Sequence, residues 1–549
     1  MEKNAAALLP LVFWAGVGRA GASVTVHVTP WGPDEAAIEA AKADMLGSAL
    51  VQSYLRNTEF RILSFELIPR ERQSGPPRPP EKYRAAIFDY THNRTVAAEG
   101  SLDGGVTVAS LSPEQPWPTL EEFDAAVEIL RNDPHFGGPL LTGQVQAYRP
   151  MPPLAEAEGP LAESPERTVM VGLLSKARDT VENEIVGVNM VRRAVMRYPG
   201  GAPPKAIATP TQCGVPSGSG PGEAGDPSYH VTVNQGSIVI WDFIVYRGRY
   251  SSGGSGHSGV DLQNVSYRGK QVLAEAHVPI LDVLYLNNVY RCGPYRDWLY
   301  DQWPFFAYGT DVGNGGFRIC NTRPQTILDD GNDDGNFNGV AVYVKGDSVY
   351  LVGNHTAGWY RYVMEWRLDA DGSIHPRFGF AATDSSCVCI IHTHHAFWRF
   401  DWNIEGASND VIYEETRGGT TQLGTEVMKR RVSAGPASGT TWRVQNALTG
   451  DSYRIIRGPY DGTADAYGSG DLWMLQYHAN EISDGAAPCL PPWCVDRTMP
   501  HLNYFLDGES IANQRDVIWY GVHFMHDIDD ENSQYGHVLI GPDLVPVQW

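Results

Sequence analysis

The sequence predicts a mainly β protein in which a large C-terminal β-sandwich is preceded by small α+β domains. Three observations carry this expectation. From residue 229 onward, about 320 residues read as short alternating strands separated by Gly, Asp and Asn turns, without a long amphipathic helix. The composition is rich in turn formers and aromatics, with 58 Gly, 38 Pro, 15 Trp and 26 Tyr. At 549 residues the chain is also too long for one ordinary domain.

The elements follow in order. MEKNAAALLPLVFWAGVGRAGAS sets a Lys near the start, an apolar run, and small residues at Ala20, Gly21 and Ala22. This is the pattern of a signal peptide over residues 1–22 and implies a secreted, extracellular protein. The run is too short for a spanning helix, and no later stretch is long and apolar enough for one. Residues 23–150 read as a small α+β domain. GPDEAAIEAAKADMLGSALVQSYL has helical spacing, and FRILSFELIP, YRAAIFDYT and RTVAAEGSL alternate as antiparallel strands. TLEEFDAAVEIL closes the unit with a helix that opens on a capping-box-like Thr119 and Glu122. The Pro-rich stretch 151–166 reads as a linker, 167–210 as a second, truncated α+β domain, and 211–228 as a flexible joint. Residues 229–549 make the sandwich. Within it DDGNDDGN, at 329–336, lacks the spacing and terminal Glu of an EF-hand loop and reads as a solvated turn.

With 42 basic against 64 acidic residues the formal charge is -22, which argues against nucleic acid or an anionic membrane as the partner and favours a cationic ligand. Sequons at Asn93, Asn264 and Asn354 fit a secreted glycoprotein. Seven Cys suit an oxidising compartment. Cys489 and Cys494 in CLPPWC are close enough to bridge, and an odd thiol is left over unless it pairs between chains.

The strongest chemical signal is CVCIIHTHHAFWRFDWNIEGASNDV, residues 387–411. In a strand, His392 and His394 share one face while His395 takes the other, so two imidazoles offer half of a metal site. DVIWYGVHFMHDIDDE adds His523 and His526, which face opposite sides of a strand, and spacing alone does not choose between them.

HTHHAFWRFDWNIEGASNDV resembles the copper amine oxidase pattern H-x-H-h-F-x-x-R-L-D-M-D-I-D-G-x-x-N-x-V, with His392, His394, Arg399, Asp401, Gly406, Asn409 and Val411 in step. The resemblance implies the supersandwich fold with cystatin-like α+β domains, and places His526, seven residues after Trp519, as the third copper ligand. YGTDVGNGGF resembles F-D-x-G-E-Y-G, which makes Asp311 the catalytic base. That role calls for a carboxylate in an apolar pocket with a raised pKa. CGPYRDW resembles V-P-Y-G-D-P and places Tyr295 as the residue that hydrogen-bonds the cofactor and helps gate the channel. Asp401 matches a peripheral Ca²⁺ ligand, Asn403 replaces the second, and Asp516 is a further candidate.

In such enzymes copper and O₂ convert a Tyr of T-x-x-N-Y-(D/E) into topaquinone. With it a primary amine is deaminated to aldehyde, ammonia and H₂O₂. In VGNHTAGWYRYVMEW, aligning VGN puts His355 at the cofactor position, while the gap-free register from DADG puts Tyr360 there, preceded by Thr356. The second register is preferred, and His355 becomes part of an insertion. Trp359 and Arg361 depart from the motif; an indole and a cation beside the ring threaten to misdirect it or to repel a cationic amine. Two other functions compete, a quinone-less copper oxidoreductase of specialised metabolism on the same scaffold and a non-catalytic secreted copper-binding protein. The family resemblance also implies a homodimer.

Overall fold

The computed structural model describes residues 24–68, 78–112, 115–149, 166–175, 184–197, 213–251, 258–285, 295–297, 299, 301–383, 385, 387–431, 439–464, 470–478, 501–526 and 539–549. The expected signal peptide, nearly all of the Pro-rich linker, and Cys489 with Cys494 lie outside the described residues. The protein is mainly β. Two sheets of ten and twelve strands build the sandwich, and two four-stranded sheets build the small units.

The unit boundaries differ from those read in the sequence. Val24–Pro30 pairs antiparallel with Ser228–Gln235 at the edge of the ten-stranded sheet, so it belongs to the sandwich. The first small unit is the sheet Phe60–Ile68, Lys82–Asp89, Arg94–Ser101 and Gly105–Ser112, packed under helices Glu35–Gly47 and Ala49–Leu55. Helix Leu120–Arg131, expected to close that unit, instead buries Phe123, Ala126 and Leu130 against Val169, Val171 and Val186 of the second sheet. An apolar helical stripe fits many sheet faces, and periodicity alone does not say which one it covers. Thr119 does cap this helix, accepting from the Glu122 backbone N–H at 3.2 Å. The Glu122 carboxylate is used elsewhere: it holds Arg167 through two 2.6 Å bonds and accepts from the Tyr90 hydroxyl at 2.5 Å, which stitches the two small units together.

Seven strands position the site: β1 (Asp261–Tyr267), β2 (Lys270–Tyr285), β3 (Ser348–Ala357), β4 (Tyr360–Asp369), β5 (Ile374–Ala382), β6 (His392–Trp402) and β7 (Asp516–His526). β1, β2, β6 and β7 are successive neighbours in the ten-stranded sheet, and β3, β4 and β5 in the twelve-stranded one. Between the sheets Trp366 of β4 meets Trp398 of β6 edge-on, 4.9 Å between ring centres. Each buried ring of this kind contributes roughly 4–6 kcal/mol of apolar burial before conformational entropy is subtracted.

β3 and β4 form a tight hairpin across Gly358-Trp359, closed by Ala357 opposite Tyr360. Gly358 has φ +59°, a left-handed conformation that suits glycine in such a turn. His355 therefore lies in a regular strand opposite Tyr362, which corrects the expected insertion. Asn354, in the same strand, is buried and donates from its amide to the Pro304 carbonyl oxygen at 3.3 Å. A glycan has no room there in the folded chain. A disulfide joins Cys213 to Cys389 just ahead of β6. Cys387 is also disulfide-bonded, and Cys320 is a free, buried thiol whose pKa burial pushes up to about 11.

Candidate metal centre

Strand alternation builds the centre. On β6, His392 and His394 point into the sandwich with Ala396, Trp398 and Phe400, all buried. β7 pairs with β6 in a register that sets His526 opposite His392 and His523 opposite His395. The choice that spacing left open thus falls to His526. Its Nδ1 lies 3.2 Å from His392 Nε2. The His394 ring centre is 4.9 Å from that of His392 and 6.5 Å from that of His526, and its Nε2 is buried without a hydrogen-bond partner among the described residues.

Burial holds His392 and His394 neutral. It depresses His392 to about 3, with the neighbouring His526 adding to the effect, and drives His394 well below its ordinary value. The His392 Nδ1–H donates to the Ile390 carbonyl oxygen at 2.5 Å, which fixes the tautomer and leaves Nε2 as a lone pair. Converging imidazole nitrogens, one of them unsatisfied, suit a borderline cation such as copper.

Across the core the twelve-stranded sheet supplies a phenol. Tyr360, the first residue of β4, sets its hydroxyl 2.6 Å from His392 Nε2 and its ring 4.6 Å edge-on from His394. Two residues on, the Tyr362 hydroxyl reaches His394 Nδ1 at 3.2 Å. Phe380 of β5 stacks on His394 at 3.8 Å between ring centres. Tyr362 and Phe380 were not singled out in the sequence. The available signal was period-2 spacing: Tyr362 follows Tyr360 by two residues on β4, and Phe380 is its cross-strand partner on β5. His355 is fully buried and depressed to about 3 by burial, and its ring lies so close to Gly248 that a Cβ there would stand 3.1 Å from it.

The two departures beside Tyr360 are resolved by packing. Arg361, on the opposite face of β4, is clamped by Asp333 through bonds of 2.8 and 2.9 Å and lies 3.7 Å over the Trp303 ring. Asp333 comes from the stretch read as a solvated turn, and it is buried. The feared cation is thus neutralised. Trp359 turns to Tyr148 of the second small unit, edge-on at 5.1 Å, with its ring centre 6.1 Å from that of Tyr360.

Other expected site residues are placed differently. Asp311 does not occupy an apolar pocket. It is exposed on a short edge strand and held by Arg318 at 2.6 and 3.0 Å, because the Gly-rich turn that follows keeps this edge at the surface. Tyr295 begins a short strand with its backbone opposite Val283, while the backbone partner of His392 on β2 is Tyr285; the Tyr295 side chain lies outside the described residues. Asp401 is buried, but Arg515 grips both its oxygens at 3.1 and 2.5 Å, so a guanidinium stands where a calcium ion was expected. Asn403 spends its side chain on Gln271 and the Gly406 N–H. Burial, reinforced by Asp410 and Glu426, pushes Asp516 up to about 9, and both its carboxylate oxygens are buried without a hydrogen-bond partner among the described residues. The Ca²⁺ expectation therefore does not fit Asp401 and Asn403.

No protein-family model and no curated protein matches the chain. Solved structures do. A copper-containing benzylamine oxidase from Hansenula polymorpha is similar with a TM-score of 0.53 and 14% identity, over 94% of this chain and 97% of that one. An Aspergillus nidulans amine oxidase gives 0.54 and 14%, over 96% and 91%. The Pichia pastoris lysyl oxidase gives 0.55 and 12%, over 94% and 90%. At this identity the likeness is one of fold, and the fold is the copper amine oxidase β-sandwich.

Proposed function

We propose that the protein is a copper-dependent oxidoreductase that deaminates a primary amine to an aldehyde, with release of ammonia and H₂O₂, through a topaquinone formed from Tyr360. The observation that carries the reading is the Tyr360 hydroxyl 2.6 Å from His392 Nε2, beside His394 and His526. Copper held by His392, His394 and His526 would supply O₂ activation, and a quinone at Tyr360 an electrophilic carbonyl for the amine.

The chain's own residues do the positioning. Ile390 holds the His392 tautomer and Tyr362 holds the His394 ring. Phe380 stacks on His394 and excludes water from that side. Asp333 cancels the Arg361 charge, so that a cationic amine is not repelled from the hairpin. Asp311, exposed and paired, takes no part in this reading. A secreted homodimer belongs to the same proposal; the N-terminal pattern and the disulfides support its secretion.

The test is O₂ uptake by copper-loaded protein across a panel of primary amines, with Tyr360→Phe alongside. Amine-dependent uptake that the variant loses supports the reading. Copper-dependent turnover that survives in Tyr360→Phe overturns the quinone and favours the quinone-less oxidoreductase, whose specific support is the Trp359 indole beside the ring.

A further inference from the structure

The opposite face of the copper sheet carries a second cluster with metal-binding chemistry. Gln263 of β1 lies opposite Glu275 of β2, and Asp261 stands two residues before Gln263 on the same strand. His277 follows Glu275 by two residues, so both point to one face. A ligand atom from each of Asp261, Glu275 and His277 lies within 4.8 Å of the other two. Asp261 and His277 are buried, and Glu275 nearly so.

The histidine is aimed into the carboxylates. Its Nε2 lies 3.8 Å from Glu275 Oε2 and is buried with no hydrogen-bond partner among the described residues. Its Nδ1 lies 2.5 Å from the Ser258 hydroxyl. Ser251 Oγ donates to the Gly248 carbonyl oxygen at 2.8 Å and accepts the Ser258 backbone N–H at 2.7 Å, which holds the Ser258 hydroxyl against His277 Nδ1. With Nδ1 engaged by the serine, Nε2 is the ring nitrogen left facing Glu275, a position from which an imidazole ligates a cation.

The remaining contacts fit the same picture. The Gln263 amide lies 3.0 Å from Asp261 Oδ2 and 3.2 Å from Glu275 Oε1, between the two carboxylates; turned over, it presents its oxygen as a fourth ligand. Arg399 donates to Glu275 at 2.7 Å, and Arg515 is spent on Asp401.

We propose that Asp261, Glu275 and His277, with Gln263, form a second metal site for a borderline divalent transition-metal ion of the zinc class, separate from the three-histidine centre. One imidazole with two carboxylates suits such an ion better than Ca²⁺, which takes oxygen ligands, or copper(I), which prefers sulfur.

The test uses full-length folded protein and Zn²⁺ as the probe, in a His392→Ala/His394→Ala background that removes the first centre. Zinc titration by calorimetry and metal analysis after dialysis are expected to give one equivalent. Adding His277→Ala or Glu275→Gln is expected to weaken it by more than about 100-fold, since even outer partners of a ligand are worth roughly 10–100-fold. Should those variants fail to fold, zinc K-edge spectroscopy of the background protein decides, with one nitrogen and two or more oxygen neighbours expected. Less than a tenth of an equivalent in the background protein, unchanged binding in a folded His277→Ala variant, or a zinc shell of water alone overturns the site.

Discussion

On the inner face of β6, His392 and His394 lie among aromatic rings, are kept neutral by burial, and meet the hydroxyls of Tyr360 and Tyr362. On the outer face of the same strand, Arg399 and Asp401 are matched by Glu275 and Arg515. Both faces bury polar groups, but they satisfy them differently. The inner imidazoles converge on two tyrosine hydroxyls and, on the proposed reading, would be completed by a metal ion, whereas the outer charges complete one another. Removing an inner group should therefore abolish chemistry and spare the fold, while removing a partner of a buried ion pair should do the reverse.

The largest effect expected on the inner face is that of His394→Ala. Copper content and amine oxidation should fall by at least about 1000-fold, as loss of a ligand costs more than loss of an outer partner. Circular dichroism should remain that of the wild type. A variant that unfolds instead would erase the distinction between the faces. The counterpart away from the centre is Asp333→Ala, which strands the Arg361 guanidinium in the core. Denaturant unfolding should show a loss of about 3–5 kcal/mol, and the double variant Asp333→Leu/Arg361→Met should recover most of it.

A smaller change sharpens the inner face. Tyr362→Phe removes the hydroxyl at His394 Nδ1 and should weaken copper binding by roughly 10–100-fold, with turnover retained at saturating copper. The smallest expected effect is a pH dependence far from the centre. His375 sits between Asp369 and Asp543, at 3.0 and 2.6 Å; although its partial burial opposes protonation, these two partners raise its pKa. A histidine raised on folding stabilises fully below its unfolded pKa of about 6.5, and the contribution fades as pH climbs through the folded value. The wild type should therefore lead His375→Gln in melting temperature at pH 6 and lose part of that lead by pH 9.

Much of the inner face was legible because its information is local. His-x-His on a strand sets two imidazoles on one side by alternation alone, and the gap-free register to Asp371-Gly372 picks out Tyr360, whose hydroxyl faces His392. What was not legible depends on contacts across long sequence separations. Asp333 looks solvated in DDGNDDGN until Arg361, 28 residues away, needs a counterion. Asp311 matches a motif, yet burial belongs to the whole fold, and its edge strand is exposed. Arg515 cancels the calcium role of Asp401 from 114 residues away. The helix opening at Thr119 shows the same limit: its apolar stripe was readable, but not the sheet it covers.

The central claim is that Tyr360 becomes the redox group. Copper-reconstituted, aerated protein treated with phenylhydrazine tests it directly, with the labelled peptide located by tandem mass spectrometry. The account predicts a coloured adduct in near one-to-one amount, carried on Tyr360 and missing from His394→Ala protein, which cannot hold the copper. An unlabelled, unmodified Tyr360 in fully copper-loaded protein would contradict it.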